Sequence, residues 1–197
     1  MYYYQNFSTA ALFYTATHGA YGLVWLLKHC VIDDAQWRQK VTALGSVWMF
    51  ILVLGPYWLA PWMLMSGAAP AASDARCCAA CVVSVVGMVI MMVSDAQKHY
   101  TLRCKKGLIT TGMFRYVRHP NYTGEMMLYA GFAAMVDHWA PWAVLAWVWV
   151  ELFHTNMLRK EASMSRYAQW DAYAARTGMV LPWLPALLSG GGDEKDE

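Results

Sequence analysis

Three uncharged stretches govern what this chain can fold into. Residues 1–27 contain no Asp, Glu, Lys or Arg, and neither do the 33 residues 41–73 or the 18 residues 77–94. A helix crossing the hydrocarbon core of a bilayer needs about 20 mostly apolar residues. The stretches supply such segments at about 10–27, 42–65 and 77–93. Two shorter apolar runs, 126–136 and 138–150, are separated by Asp137. Asp137-His138-Trp139-Ala140-Pro141 reads as a tight turn, so 124–136 and 141–155 are expected to form a helical hairpin partly shielded from lipid by its neighbours. The expected fold class is all-α: a polytopic membrane helix bundle of about five segments, followed by a C-terminal amphipathic helix. Charged residues make up 14% of the chain, against roughly 25% in soluble domains. That argues against a coiled coil, a disordered chain or a soluble enzyme with a charged surface. Eleven Trp and 12 Tyr suit membrane interfaces, where an apolar ring with one polar atom is comfortable.

The cations give an orientation. With the N-terminus lumenal and each segment crossing once, 28–40, 94–123 and 156–197 lie on the cytosolic side and hold all but one of the 15 Lys and Arg, the exception being Arg76. Cytosolic loops carry such an excess. The first apolar segment lacks a basic n-region and is expected to remain as an anchor rather than be cleaved. The glycine-rich acidic end, 186–197, is expected to be a disordered tail, which divides the chain into N-terminal transmembrane helices (1–93), a C-terminal module (94–185) and that tail. A net charge of +2 gives no pull toward nucleic acid. Cys77, Cys78 and Cys81 have no second Cys or His pair at ligand spacing, so neither a metal nor a structural disulfide is expected; apolar packing or palmitoylation suits the cysteines better.

Polar chemistry concentrates in two places. In Arg118-His119-Pro120-Asn121-Tyr122-Thr123-Gly124-Glu125 the proline suits a first helical turn, and the residue before a proline avoids the helix. A helix should therefore start near 120. Its free N–H groups favour an anion, and Arg115 and Arg118 add charge beside them. Asn121 and Glu125 lie one turn apart, and a carboxylate at membrane depth needs a partner or a water-filled cavity. One reading is a basic loop gripping lipid phosphates; the other is a cofactor site. The second cluster holds Glu151, His154, Asn156, Arg159, Lys160 and Glu161. From 157 to the Thr177-Gly178 stop, apolar and charged residues interleave as in a helix lying on the cytosolic surface.

The run Gly107-Leu108-Ile109-Thr110-Thr111-Gly112-Met113-Phe114-Arg115-Tyr116-Val117-Arg118-His119-Pro120-Asn121-Tyr122-Thr123-Gly124-Glu125 resembles the signature of a membrane-enzyme superfamily. It holds steroid 5α-reductases, sterol reductases, isoprenylcysteine carboxyl methyltransferases and phospholipid methyltransferases. Ser94-Asp95-x-Gln97-Lys98, Tyr173-x-x-Arg176-Thr177 and Leu181-Pro182-Trp183-x-Pro185 are similar to DUF1295 proteins, grouped with the steroid-reductase C-terminal domain. The resemblance covers about 94–185 and implies a helical module that binds a nucleotide-containing cofactor from the cytosol. Glu125 after the glycine, and Asn121, lean toward the reductases.

What the resemblance implies is an endoplasmic reticulum or other endomembrane enzyme with a cytosolic C-terminus. It would reduce a C=C bond of a small lipophilic, steroid-like substrate with NADPH. Arg115, Arg118, His119, Asn121, Glu125, His154, Asn156 and Arg159 would bind the cofactor. Tyr122, Glu125 and Tyr173 are the candidate catalytic residues, a phenol serving as proton donor. The alternatives are an S-adenosylmethionine-dependent methyltransferase of a lipid or prenylated substrate, and a non-catalytic scaffold that binds anionic membrane lipids.

Overall fold

The computed structural model describes residues 1–32 and 40–182. The expected tail lies outside these residues, as do Arg38 and the Trp183–Pro185 part of the C-terminal motif. The described residues are all-helical, with no strand: α1 (Thr9–Val31), α2 (Ala43–Ser66), α3 (Asp74–Cys104), α4 (Pro120–Ala134), α5 (140–164) and α6 (Trp170–Arg176). Serine caps start α1 and α3. Ser8 accepts from the N–H of Ala11 and Ser73 from that of Arg76, each meeting an otherwise unpaired first-turn donor.

Two helices, α2 and α3, are long and apolar enough to cross a membrane. α2 carries a π-helical turn, Phe50–Leu54, just before Pro56, whose missing N–H interrupts the regular ladder. None of its residues from Ala43 to Tyr57 is buried. α3 has 31 residues and is therefore roughly 46 Å long, well beyond the ~30 Å apolar core. Residues 94–104, expected as cytosolic loop, are the end of this helix. α4, with 15 residues, is only about 22 Å long and is held by its neighbours. It starts at Pro120 and forms the expected hairpin with α5.

The tightest contact is between α3 and α4, and small residues make it possible. A Cβ on Gly87 would stand 2.5 Å from the Gly124 carbonyl oxygen, and one on Gly124 would stand 2.5 Å from that of Gly87. Ser84 Oγ donates across the same seam to Leu128 O at 3.1 Å. Around this axis, Met88, Met91, Leu128, Phe132, Met135 and Val136 join α1 and the end of α2 in the main core. At the opposite end from α4's N-terminus, Arg76 donates through both terminal nitrogens to Asp137 Oδ1 at 3.0 Å and through Nε to Ala134 O at 2.9 Å. The one arginine that breaks the charge asymmetry is thus tied to the hairpin turn.

The amphipathic segment differs from its expectation. It is two helices, the last turns of α5 and the separate α6, with turns at Ser165–Gln169 between them. No Gly or Pro marks this break. Anchors on α6, described next, pull the chain out of helical register.

Candidate functional site

α4's N-terminus is fixed by backbone pairing with the chain after α6. The N–H of Arg118 donates to Gly178 O at 2.9 Å and that of His119 to Met179 O at 3.0 Å, while Thr123 Oγ1 donates to Val180 O at 2.5 Å. The His119 backbone is non-helical, at φ −128° and ψ 60°, as Pro120 requires.

Arg118 is the hub. Its Nε donates to Glu161 Oε1 at 2.7 Å, and its Nη1 donates to Ala174 O at 3.2 Å and to Thr177 O. The guanidinium therefore caps the unpaired carbonyls at the end of α6, and it also lies over the Trp170 ring. His119 Nε2 sits 3.3 Å from the same Glu161 oxygen, close enough for an ion pair but without hydrogen-bond geometry. His119 is 3% exposed. Burial drives its pKa down to about 4, with Lys160 and Arg118 adding to the fall and Glu161 opposing it. At neutral pH the ring is uncharged. Tyr173, 2% exposed, donates its hydroxyl to Phe114 O at 2.8 Å. Burial raises its pKa to about 12, against the pull of Arg118 and Arg176. Lys160 Nζ donates to Tyr122 OH at 3.1 Å and lies 4.4 Å from that ring's centre.

Beside these residues opens a pocket of about 430 Å³ between the end of α3, the 106–109 loop, α4's first turn and the α5–α6 segment. Leu102, Leu108, Ile109, Phe114, Met164 and Tyr173 form apolar and aromatic walls. Lys98, Lys106, Arg118, Lys160 and Arg166 also line it, and among the described residues no acidic side chain does. Asn121 presents an amide that makes no hydrogen bond among the described residues.

Of the residues expected in the site, Arg118, His119, Asn121 and Tyr173 line this pocket. Tyr122 is buried against Phe153 just behind it. Arg115, His154 and Arg159 are exposed and Asn156 is half-buried, and none of the four lines the pocket. A π-helical turn at Trp149–His154 rotates α5 away from the register that simple spacing implies. Glu125 points into the bundle instead. Its electrostatic neighbours are Asp95, Lys28 and Lys160 rather than Arg159. Lys28 and Asp95 are themselves an ion pair between α1 and α3. Sequence reasoning omitted Lys98, Lys106 and Arg166. Continuing α3 to Cys104 would have placed Lys98 and Leu102 on one face, one turn apart.

A family model described as "Protein of unknown function (DUF1295)" matches residues 26–177. An uncharacterized protein of Schizosaccharomyces pombe is 39% identical over 41 residues, covering 21% of this chain and 15% of that protein. A second uncharacterized protein of the same yeast is 28% identical over 93 residues, covering 44% of this chain and 27% of that protein. The chain thus spans well under a third of the length of these curated relatives. No solved structure matches it.

Proposed function

The chain belongs to the DUF1295 family, and from that premise we propose that it is an integral membrane oxidoreductase that reduces a C=C bond of a steroid- or lipid-like substrate with NADPH. The observation that carries this reading is the pocket: among the described residues, five cations and no carboxylate stand around apolar, aromatic walls. Such a lining suits a ligand with several phosphates and flat rings. S-adenosylmethionine has no phosphate and sets two positive groups against one carboxylate, so a purely cationic lining disfavours it. The α4 N-terminus and the Asn121 amide, unpaired among the described residues, add donors for phosphate or ribose oxygens.

The cofactor supplies the hydride; the chain binds it, orients it and keeps water from it. Lys106 and Arg166, exposed at the rim, grip phosphate. Arg118 contributes less directly, because its charge already faces Glu161. In this reading five segments cross the membrane, the N-terminus is lumenal and the pocket cytosolic, in keeping with the Lys and Arg distribution, and the substrate enters from the lipid. α2's uncovered apolar surface fits contact with acyl chains.

The test is thermal stabilisation of detergent-solubilised protein by NADPH, S-adenosylmethionine and anionic lipid in parallel. NADPH is expected to stabilise. Replacing Lys106 and Arg166 by Gln removes charged contacts worth about 1.5–3 kcal/mol each and should weaken NADPH binding at least about tenfold. Stabilisation by S-adenosylmethionine alone would move the chain to the methyltransferases, and by anionic lipid alone to the scaffolds.

A further inference from the structure

Of the motif Ser94-Asp95-x-Gln97-Lys98, only Lys98 lines the pocket. Gln97 stands beside it on α3, and its side chain reaches out of the helix to the loop that follows. Nε2 donates to Thr111 O at 2.8 Å, and Oε1 accepts from the N–H of Met113 at 2.9 Å. One amide thus pairs with the main chain on both sides of Gly112. The glycine lets it come this close. Its φ is +60°, where a side chain is strained, and a Cβ there would stand 2.5 Å from Gln97 Nε2 and 2.7 Å from Oε1.

The chain between the end of α3 and this tether has little other support. At one end the N–H of Lys105 donates to Thr101 O at 2.8 Å and closes the helix. From Lys106 to Thr110 no main-chain or side-chain group makes a hydrogen bond among the described residues. Gln97 and Cys104 lie two turns apart, about 10 Å along the axis. Residues 105–111 could span about 24 Å if extended. The chain therefore returns along α3 as a slack bow, and Lys106, Leu108 and Ile109 on that bow line the pocket. Beyond the tether, Gly112–Phe114 forms a 3₁₀ turn. Phe114 is buried, forms part of the pocket wall, and receives the Tyr173 hydroxyl on its carbonyl at 2.8 Å. Gln97 thus joins α3 to the pocket wall and, through it, to α6.

We propose that Gln97 is a positioning residue. By holding Thr111 and Met113 it sets the 105–111 loop along the rim of the pocket, and so places Lys106 for the phosphates of the bound nucleotide. Gln97 itself does not line the pocket; it acts through the loop. Its effect on the cofactor rests on the reductase reading, whereas the tether stands on geometry alone.

The test begins without cofactor, on protein labelled with 15N at methionine in lipid nanodiscs. Gln97→Met keeps the stem and removes the amide. Hydrogen exchange at Met113 and tryptic cleavage after Lys105 and Lys106 should each accelerate roughly 10- to 30-fold, as the loss of two hydrogen bonds implies. Amides of Met91 on α3 and Met127 on α4 are internal references and should not change. Gln97→Glu keeps an acceptor for Met113 but sets its second oxygen against Thr111 O. Met113 should stay protected in it while cleavage rises by a smaller factor. NADPH affinity then reads the positioning through a double-mutant cycle. Lys106→Gln should weaken binding at least about tenfold in the unmodified protein and less than about threefold in the Gln97→Met background, because the lysine is already misplaced there. A merely structural role of Gln97 would make the two losses multiply, and that result would overturn the proposal. So would unchanged Met113 exchange or cleavage in Gln97→Met, equal acceleration at Met91 and Met127, or loss of Met113 protection in Gln97→Glu. Accelerated Met113 exchange and cleavage in a protein that NADPH does not stabilise would refute the reductase reading and uphold Gln97 as the residue that sets the loop.

Discussion

Replacing Arg118 by Met is expected to release the C-terminal segment from α4 while the rest of the bundle stays folded. Met keeps the unbranched stem and removes the guanidinium. Three hydrogen bonds go with it, to Glu161 at 2.7 Å and to Ala174 O and Thr177 O, together with the stacking on Trp170. Both members of the ion pair are largely shielded, with side chains 12% and 16% exposed. Removing one partner of such a pair leaves the other charge without compensation and costs about 3–5 kcal/mol. The loss falls locally, because Arg118 joins α4 to α6 and the 177–180 strap and touches nothing in the main core. At tenfold per 1.4 kcal/mol, amide exchange across 173–179 should accelerate by roughly 100- to 4,000-fold. Amides of α3 should be unaffected. Hydrogen exchange with peptide-level readout in nanodiscs measures this, and Glu161→Gln, which keeps an acceptor for the guanidinium, should give a smaller effect. Unchanged exchange at 173–179, together with lost NADPH stabilisation, would show that Arg118 is a ligand contact and not an anchor.

Two further outcomes follow from the same geometry. His119, held down to about 4 in the fold from an ordinary 6.5, binds its proton more readily once the segment unfolds; its stabilising contribution is complete above about pH 6.5 and is lost as pH falls toward 4, a span worth about 3 kcal/mol. Melting curves at pH 7.5 and 4.5 should show the drop and His119→Gln should flatten it, while equal sensitivity in both proteins would refute the assignment. Gly124→Ala would force a Cβ to 2.5 Å from Gly87 O and Met91 N, backbone atoms that cannot swing aside, so the melting temperature should fall by an amount matching at least about 1–3 kcal/mol; an unchanged value would mean that α3 and α4 can part freely.

Much of the architecture is already present in one-dimensional pattern. Uncharged length limits the long segments to helices, because every backbone N–H and C=O in an apolar run must find its partner within the segment. Pro120 places the start of α4, since a proline tolerates the first turn and bars its predecessor from it. Asp137 and Pro141 place the hairpin turn. Arg118, His119 and Asn121 could be singled out as charged and polar groups beside a helix start, though spacing alone suited a lipid-binding loop equally well, and Tyr173 entered through the motif shared with DUF1295 proteins. What tertiary structure alone decided is which side each group faces. α3 runs on to Cys104 because nothing in Ser94–Cys104 breaks a helix, and this carries Lys98 into the pocket. The π turn in α5 shifts register by packing, without a proline or glycine to announce it, and so leaves Arg159 outside and brings Lys160 in. α5 and α6 separate where Arg118 and Tyr173 seize the chain from another element. The pairings Lys28–Asp95 and Tyr21–Tyr129 join residues 67 and 108 positions apart. No local period encodes such contacts; they exist only once the helices have packed and the polar groups of one must be satisfied by those of another.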